Sequence, residues 1–194
     1  MNVRPKFPPQ QPMSIESFLA FTDACPPGEL WELIEGVPVL SPSPVQIHQL
    51  IAGNIVGFLL RHKERAGASW IALLGVGTRV PVSPDSLPRP DVYVQAAAAE
   101  DSAVTDDALV IFEVLSRSNK KRDRDWRHKV YSSVPNCQHY VTVSTTSVEV
   151  IRHSRTSGWT AERIRSRTGT LDLPAIGVAM PLADIYRWTP LDRA

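Results

Sequence analysis

The most constraining feature of this chain is an apolar, strand-like run over residues 110–116 that carries one carboxylate, Glu113. A second run of the same kind begins at Asp91, directly after Pro90. Burying an unpaired carboxylate costs several kcal/mol, roughly, so an acid in a core strand is usually paired, protonated or bound to a metal ion. Two such acids on neighbouring strands make a candidate site for a divalent cation. The alternative is that Asp91 begins a turn after Pro90 and Glu113 pairs with a nearby arginine.

A segment rich in basic residues follows the second run. Between residues 117 and 129 it sets seven basic residues against two acids, Asp123 and Asp125. The basic residues are Arg117, Lys120, Lys121, Arg122, Arg124, Arg127 and Lys129. On charge alone, an exposed and solvated helix is the favoured interpretation. The functional alternative is that the segment positions a nucleic-acid backbone or brings a lysine beside the metal ion.

Length and composition indicate an ordinary globular protein. The 194 residues fit one domain with a real core, and 43% of them are hydrophobic. A net charge of +1 excludes a generally basic surface, so any nucleic-acid face must be local. No apolar run is long enough to span a membrane, and two cysteines give no disulfide framework. We predict a flexible arm over residues 1–13, a single domain over 14–194 and a cytoplasmic location.

The order of predicted elements favours an α/β fold with a central mixed sheet. Ser14 is placed to cap a short helix, and Glu35-Gly36 to turn a hairpin between strands at 30–34 and 37–40. A long helix with apolar residues at three- and four-residue spacing ends near Gly67. Further strands are predicted at 69–74, 78–82, 91–95 and 108–114, a short helix at 123–133, a hairpin of 138–143 with 148–153, a strand at 159–165, and a strand with a short helix over 171–186.

Two isolated residues add weak signals, and several motifs are absent. Glu32 lies on the opposite side of its strand from Trp31 and Leu33, where a solvent-facing acid is the simpler interpretation. His48, near the start of the long helix, is more often a capping or half-buried residue than a ligand. The sequence has no glycine-rich phosphate loop, GxSxG, HExxH or paired CxxC. Phosphoryl-transferring NTPases, serine hydrolases and zinc fingers are therefore disfavoured.

The ordered series of short segments is more specific than any one of them. The series contains Trp31-Glu32-Leu33-Ile34-Glu35-Gly36, Ser41-Pro42-Ser43-Pro44 with His48, Pro90-Asp91-Val92, Phe112-Glu113-Val114-Leu115-Ser116-Arg117-Ser118, Asp123 with Tyr131, and Pro135 to Val141. In this series the chain resembles the Uma2 family, also called DUF820, of restriction-endonuclease-like proteins in the PD-(D/E)XK nuclease superfamily. The resemblance covers about residues 30–159.

This resemblance implies a fold, a cofactor and a set of site residues. The fold would be a restriction-endonuclease-like core, with a central mixed β-sheet flanked by helices and an N-terminal β-hairpin. Asp91 and Glu113 would bind Mg²⁺ or Mn²⁺, Glu32 would complete the cluster, and His48 would lie near it. His48, Lys120, Lys121, Arg122 and Arg124 are the predicted nucleic-acid contacts.

The chain departs from the superfamily at the catalytic lysine. The classical motif ends in Glu-x-Lys, whereas the third position here is Leu115. In the family the lysine lies on the following helix, and counting without gaps places it at Arg127, two residues before Lys129. Lysine can shift its pKa and take part in proton transfer, whereas arginine stays charged. Positions 127 and 129 are about 200° apart on a helix. Three possibilities stay open. Lys129 could reach the site through a local irregularity of the helix, Arg127 could act as a phosphate clamp, or Lys120 or Lys121 could take over the role of the lysine.

The leading hypothesis is a Mg²⁺- or Mn²⁺-dependent endonuclease that hydrolyses phosphodiester bonds in DNA, with RNA as an open alternative. Arg127 or Lys129 would stabilise the pentavalent phosphate or position the nucleophile. Cutting both strands of a duplex usually needs two active sites, which favours a homodimer. The second hypothesis is a catalytically inactive DNA- or protein-binding member of the nuclease fold. A third is a structural domain whose acids are paired internally.

Overall fold

The computed structural model describes residues 12–96, 101–116 and 121–193. Residues 1–11 of the predicted arm, Arg117 and Lys120 lie outside these ranges. The elements in chain order are α1 (Ile15–Asp23), β1 (Trp31–Ile34), β2 (Val37–Leu40), α2 (Gln46–Ala66), β3 (Ile71–Leu74), β4 (Gly77–Thr78), β5 (Val92–Gln95), β6 (Val104–Thr105), β7 (Ala108–Leu115), α3 (Lys121–Tyr131), β8 (His139–Ser144), β9 (Val150–Ser154), β10 (Ala161–Ile164), β11 (Thr170–Leu173), β12 (Val178–Pro181) and α4 (Leu182–Ile185).

A six-stranded sheet with strand order β10-β9-β8-β7-β5-β3 forms the centre of the fold. Strands β7 and β8 are parallel, while the other neighbouring pairs are antiparallel. The sheet is therefore mixed, as the sequence predicted. The eight-residue strand β7 has a hydrogen-bonded neighbour on each side, and all but two of its residues are buried.

The two faces of this sheet are covered by different helices. Alternate side chains of a strand point to opposite faces, so Phe112 and Ile111 contribute to separate clusters. Helix α2 packs on the Phe112 face through a buried stripe that includes Ile55. Helix α3 packs on the Ile111 face through Val130 and Tyr131. The predicted central sheet flanked by helices is confirmed, with α2 and α3 on opposite faces, and Glu113 shares the face of Ile111.

The N-terminal hairpin forms as predicted and is held against the rest of the domain. Its turn residues, Glu35 and Gly36, have φ of 50° and 78°, which is the backbone conformation that a two-residue hairpin turn requires. Leu33 of β1 exchanges backbone hydrogen bonds with Leu87, 2.8 and 3.4 Å long. These bonds fix β1 beside the loop that leads into β5. They also bring Glu32 next to Arg89.

Three predicted elements differ from those observed. The strand predicted at 78–82 is only the two-residue β4, because the backbone turns back after Val80, whose carbonyl accepts from the amide of Ser83 at 3.0 Å. Strand β4 pairs with β6, which lies between the strands predicted at 91–95 and 108–114, where no strand is predicted. The closing strand predicted over 171–186 is a hairpin of β11 and β12 followed by α4. Within the described ranges, no helix has the length and hydropathy that a membrane span needs.

Candidate active site

Asp91 and Glu113 are brought together by the pairing of β5 with β7. Val92 is opposite Phe112 in this antiparallel pair, and the amide of Asp91 donates to the Phe112 carbonyl at 3.1 Å. The Asp91 carboxylate accepts a hydrogen bond from the amide of Val114 through Oδ2, at 2.7 Å. Val114 directly follows Glu113 in the strand. The two acids therefore lie side by side at one edge of the strand pair, as the two apolar runs suggested.

Glu113 is the most deeply placed of these acids and is 6% exposed. The Tyr131 hydroxyl donates to its Oε1 at 2.9 Å, and Nη1 of Arg127 donates to the same oxygen at 2.9 Å. Both hydrogen bonds described for this carboxylate end on Oε1. Burial raises the pKa of Glu113 to about 8, against an opposing effect of Arg127, while Asp91 and Glu32 raise it further. The environment therefore favours a proton or a cation at Glu113.

Glu32 comes to the same place from the N-terminal hairpin. It is 6% exposed and lies on β1. Its Oε1 accepts from the amide of Arg89 at 2.8 Å, and its Oε2 accepts from the Ser41 hydroxyl at 3.2 Å. The position is therefore not that of a solvent-facing strand residue. Hydrogen bonds from two loops fix the carboxylate, so that it faces helix α3.

The Arg127 guanidinium bridges Glu32 and Glu113. Its Nη2 donates to both oxygens of Glu32, at 3.1 and 2.8 Å, and its Nη1 contacts Glu113 and the Tyr131 hydroxyl, at 2.9 and 3.3 Å. Asp123, one helical turn earlier, lies 3.5 Å from Nε. The side chain is only 11% exposed. Burial, the largest single influence, acts to lower the pKa of Arg127, but the acids and Tyr131 outweigh it and hold that pKa well above its usual range.

The remaining predicted site residues divide between the acid cluster and the surface. His48, at the start of α2, contacts Asp91 Oδ1 through Nε2 at 2.9 Å. Lys129 is exposed on α3, about 200° around the helix from Arg127. Lys121, Arg122 and Arg124 are also exposed on α3, and Lys120 lies outside the described residues. Among Arg127, Lys129 and Lys121, the candidates for the lysine position that the structure describes, Arg127 is the residue that contacts the acids.

Tyr131 is a site residue to which the sequence analysis gave no role. It lies four residues after Arg127, on the same face of α3, and its side chain is fully buried. Burial and the nearby acids raise the pKa of Tyr131 well above its usual range. The hydroxyl therefore stays protonated and donates a hydrogen bond to Glu113. The sequence did contain a signal for this role, because Tyr131 is an aromatic residue one helical turn after the basic position 127.

Two of the three carboxylates in the cluster, rather than all three, are suited to bind a hard divalent cation. The described residues contain no group of three or more His, Cys, Asp or Glu side chains that could hold a metal ion. Both oxygens of Glu32 are paired with the Arg127 cation. Among the described residues, by contrast, the Asp91 carboxylate is hydrogen-bonded only to a backbone amide and His48, and the hydrogen bonds of Glu113 use Oε1 only. Asp91 and Glu113 are left as candidate ligands. This donor set suits Mg²⁺, which takes one or two carboxylates together with waters and phosphate oxygens.

Comparison with known proteins identifies the family of this chain. The sequence model of the Uma2 family, described as "putative restriction endonuclease", matches residues 15–183. The chain belongs to the Uma2 family. No curated protein matches it. Its fold is similar to the crystal structure of a DUF820 protein from Anabaena variabilis ATCC 29413, described as a putative nuclease, with a TM-score of 0.72.

The similarity to that structure covers 91% of this chain and 99% of the other, at 15% sequence identity. At this identity it shows the fold alone, and it confirms the predicted restriction-endonuclease-like class. Restriction-endonuclease-like families generally use divalent metal ions. The Uma2 chain described here has two carboxylates suited to such an ion, and it has Arg127 where the resemblance places a lysine.

Proposed function

We propose that this Uma2 protein is a metal-dependent endonuclease that hydrolyses phosphodiester bonds in DNA. The observation that carries the proposal is the convergence of Glu32 and Glu113, from distant parts of the chain, on the buried Arg127, with Asp91 next to Glu113. Glu32 comes from the hairpin, Asp91 from the position directly before β5, Glu113 from the neighbouring strand β7, and Arg127 from α3. Buried charges at this density are costly to a fold and are typical of functional sites.

Each residue of the cluster has a separate task in the proposed reaction. Asp91 and Glu113 would hold a divalent cation, which would lower the pKa of an attacking water and neutralise charge on the phosphate. Arg127 cannot act as a base, because a guanidinium does not lose its proton in a protein. It fixes Oε1 of Glu113 and adds positive charge beside the reacting group. Glu32 holds Arg127 in this position.

Two further sets of side chains would support the proposed reaction. His48 orients Asp91 through Oδ1. Lys121, Arg122 and Arg124 at the start of α3 are exposed and would contact the phosphate backbone, so DNA binding should weaken steeply with salt. Cleavage of both strands of a duplex would require two such sites. A homodimer is therefore part of the proposal, and sedimentation velocity with and without DNA tests it.

One observation favours a second function, that of a catalytically inactive DNA- or protein-binding member of the fold. The Arg127 guanidinium already satisfies Glu32 and one oxygen of Glu113 without any metal ion. An arginine that neutralises the acids stabilises the fold and lowers the electrostatic attraction for a second cation. In this case the cluster would be a structural remnant, and binding would be the activity under selection.

Nicking of supercoiled plasmid separates the two functions. Wild-type protein, Glu113→Gln and Asp91→Asn are compared in Mg²⁺, Mn²⁺ and EDTA, with single-stranded DNA and RNA as further substrates. Glu162→Gln is the matched control, since it makes the same carboxylate-to-amide change at an exposed residue of β10. We expect cleavage by the wild type and the control, and none by the two site variants or in EDTA. Cleavage that persists in Glu113→Gln contradicts the mechanism.

Arg127→Lys makes the same experiment informative when the wild type does not cleave. Lysine at this position restores the residue that the family resemblance implies. A folded wild type that is inactive with every metal and substrate, together with an active Arg127→Lys variant, would establish the inactive nuclease. If the wild type cleaves DNA and the Arg127→Lys variant keeps that activity, the side chain at position 127 acts as a positive charge rather than as a proton donor.

A further inference from the structure

A second basic site lies on the surface between α2 and α4, away from the acid cluster. Two adjoining depressions, about 310 and 140 Å³ in volume, share Arg61, Asp184 and Arg187 in their walls. Arg65 lines the larger depression and Trp188 the smaller. Together these five residues define what we call the α2–α4 groove. Arg61 follows His48 by thirteen residues in α2, which places the groove about 20 Å along the helix from the acids.

The charges in this groove are unbalanced. Its single acid, Asp184, is ion-paired with Arg187. Within the described part of the chain, neither Arg61 nor Arg65 forms an ion pair, and both are exposed. Nη1 of Arg61 lies over Gly57, 3.3 Å from where a Cβ would be, so the absence of a side chain at that position leaves space for the guanidinium. The groove therefore presents two uncompensated guanidinium groups to solvent and is suited to an anion.

An aromatic side chain stands at one end of the groove. Trp188 is 74% exposed, more than any other large hydrophobic residue of the described chain. Its ring lies 5.9 Å from the Arg187 guanidinium carbon, within the range of a cation–π contact. Exposing a tryptophan to water forgoes the burial of a large apolar surface, so such a residue is typical of a contact site.

The backbone holds this tryptophan in place rather than leaving it on a free loop. Trp188 has φ of 64°, which is unfavourable for a bulky residue. Its amide donates to the Asp192 carboxylate at 2.9 Å. The side-chain amide of Asn54, on α2, donates to the carbonyls of Ile185 and Arg187 at 3.0 and 2.8 Å. The strained conformation is therefore fixed by named contacts, as is common where backbone geometry serves a binding site.

We infer that the α2–α4 groove binds single-stranded nucleic acid, with Arg61 and Arg65 contacting phosphates and Trp188 stacking on a base. A groove that combines uncompensated positive charge with an exposed aromatic ring has the two features by which proteins bind single strands without sequence preference. Free phosphate or a phosphorylated protein would use the arginines alone and would leave Trp188 without a role. This site does not require the acid cluster to be catalytic.

Binding of a fluorescein-labelled oligodeoxythymidylate, measured by anisotropy in EDTA, tests the inference. The groove variant is the double substitution Arg61→Gln with Arg65→Gln. Its matched control is Arg163→Gln with Arg165→Gln, which removes the same charge from exposed arginines at β10. We expect affinity to fall on the order of tenfold in the groove variant only. The slope of log affinity against log salt should fall by about 1.4, or 0.7 for each phosphate contact.

Substitution of Trp188 tests whether binding depends on stacking with the bases. Trp188→Ala should weaken binding roughly 5- to 150-fold, the range for loss of one stacked base, and Trp188→Phe should retain most of the affinity. Equal loss in the groove and control doubles would overturn the site. Binding that needs the arginines but is unchanged in Trp188→Ala, and is matched by inorganic polyphosphate, would overturn the assignment to nucleic acid. EDTA prevents metal-dependent cleavage, so failure of the proposed nuclease activity leaves this result unaffected.

Discussion

Replacing Arg127 with methionine removes the one cation that bridges Glu32 and Glu113 while keeping most of the apolar stem. The structure assigns three hydrogen bonds to this bridge, two to Glu32 and one to Glu113, at 2.8 to 3.1 Å. Both acids are 6% exposed, so water cannot replace the guanidinium in the intact fold. Breaking a buried ion pair by removing one partner costs about 3–5 kcal/mol, and we expect a loss in this range at pH 7.5.

Urea unfolding followed by tryptophan fluorescence measures this loss, with Lys129→Met as the matched control. Lys129 is exposed on the same helix, so its substitution should change the free energy of unfolding by no more than about 0.5 kcal/mol. The cost of Arg127→Met should also be larger at pH 9, because Glu113, with a pKa of about 8, is ionised there in the wild type and would lose its cationic partner. A loss below about 1 kcal/mol at pH 7.5, or one equal to that of Lys129→Met, would refute the bridge as a stabilising contact.

The pKa of Glu113, raised to about 8, makes the fold lose stability between pH 4.5 and 8, because the folded carboxyl keeps a proton that the unfolded chain releases. The Glu113 contribution is therefore full below pH 4.5 and falls by about 1.4 kcal/mol per pH unit inside the window. Urea titrations should show this slope in the difference between wild type and Glu113→Gln, and parallel profiles would contradict it. Asp91→Asn should weaken Mn²⁺ binding in calorimetry by more than the roughly 10- to 100-fold that loss of an outer-shell partner costs, and unchanged affinity would remove Asp91 from the ligand set. Gly36→Ala should destabilise by about 1–2 kcal/mol, since φ is 78° and the new Cβ would lie 2.5 Å from Pro12 Cβ. Gly53→Ala, inside α2 with open space around it, should instead stabilise by about 0.5–1 kcal/mol, and similar effects of the two changes in thermal unfolding would refute the backbone argument.

The sequence was sufficient to predict the strands that carry Asp91 and Glu113, because each acid interrupts or begins an apolar run. The same regularity gave the hairpin with Glu35-Gly36 and the long amphipathic helix α2. It failed at 78–82, where the buried Val80 is followed by turn hydrogen bonds that no alternation of side chains indicates. Local patterns therefore predicted the elements that pack with regular periodicity, and missed the irregular backbone between them.

The sequence could not predict which side chains contact the acids, because those side chains are distant from the acids along the chain. Glu32 and Arg127 are 95 residues apart, and His48 and Asp91 are 43 apart. The choice between Arg127 and Lys129 depends on the rotation of α3, which the burial of Val130 and Tyr131 determines. With Tyr131 in the core, Arg127 lies one turn below it on the same face and Lys129 points outward. The phase of a short helix is fixed by tertiary packing, and so the sequence alone left both residues open.

The charge balance of the cluster explains how an arginine and a metal ion can share the same acids. If Glu32, Asp91 and Glu113 were all ionised, they and one guanidinium would leave two negative charges, and the pKa of Glu113 is raised first by burial and further by the other two acids. A divalent cation between Asp91 and Glu113 would remove the excess without displacing Arg127, because Arg127 and Tyr131 hold Glu113 only through Oε1. Arg127 then acts as a fixed charge that organises Glu32 and Glu113. Any proton transfer in the reaction must come from another group, since arginine keeps its proton. The proposed nuclease thus depends on Oε2 of Glu113 being available to the cation, whereas the inactive alternative depends only on Arg127 satisfying the acids.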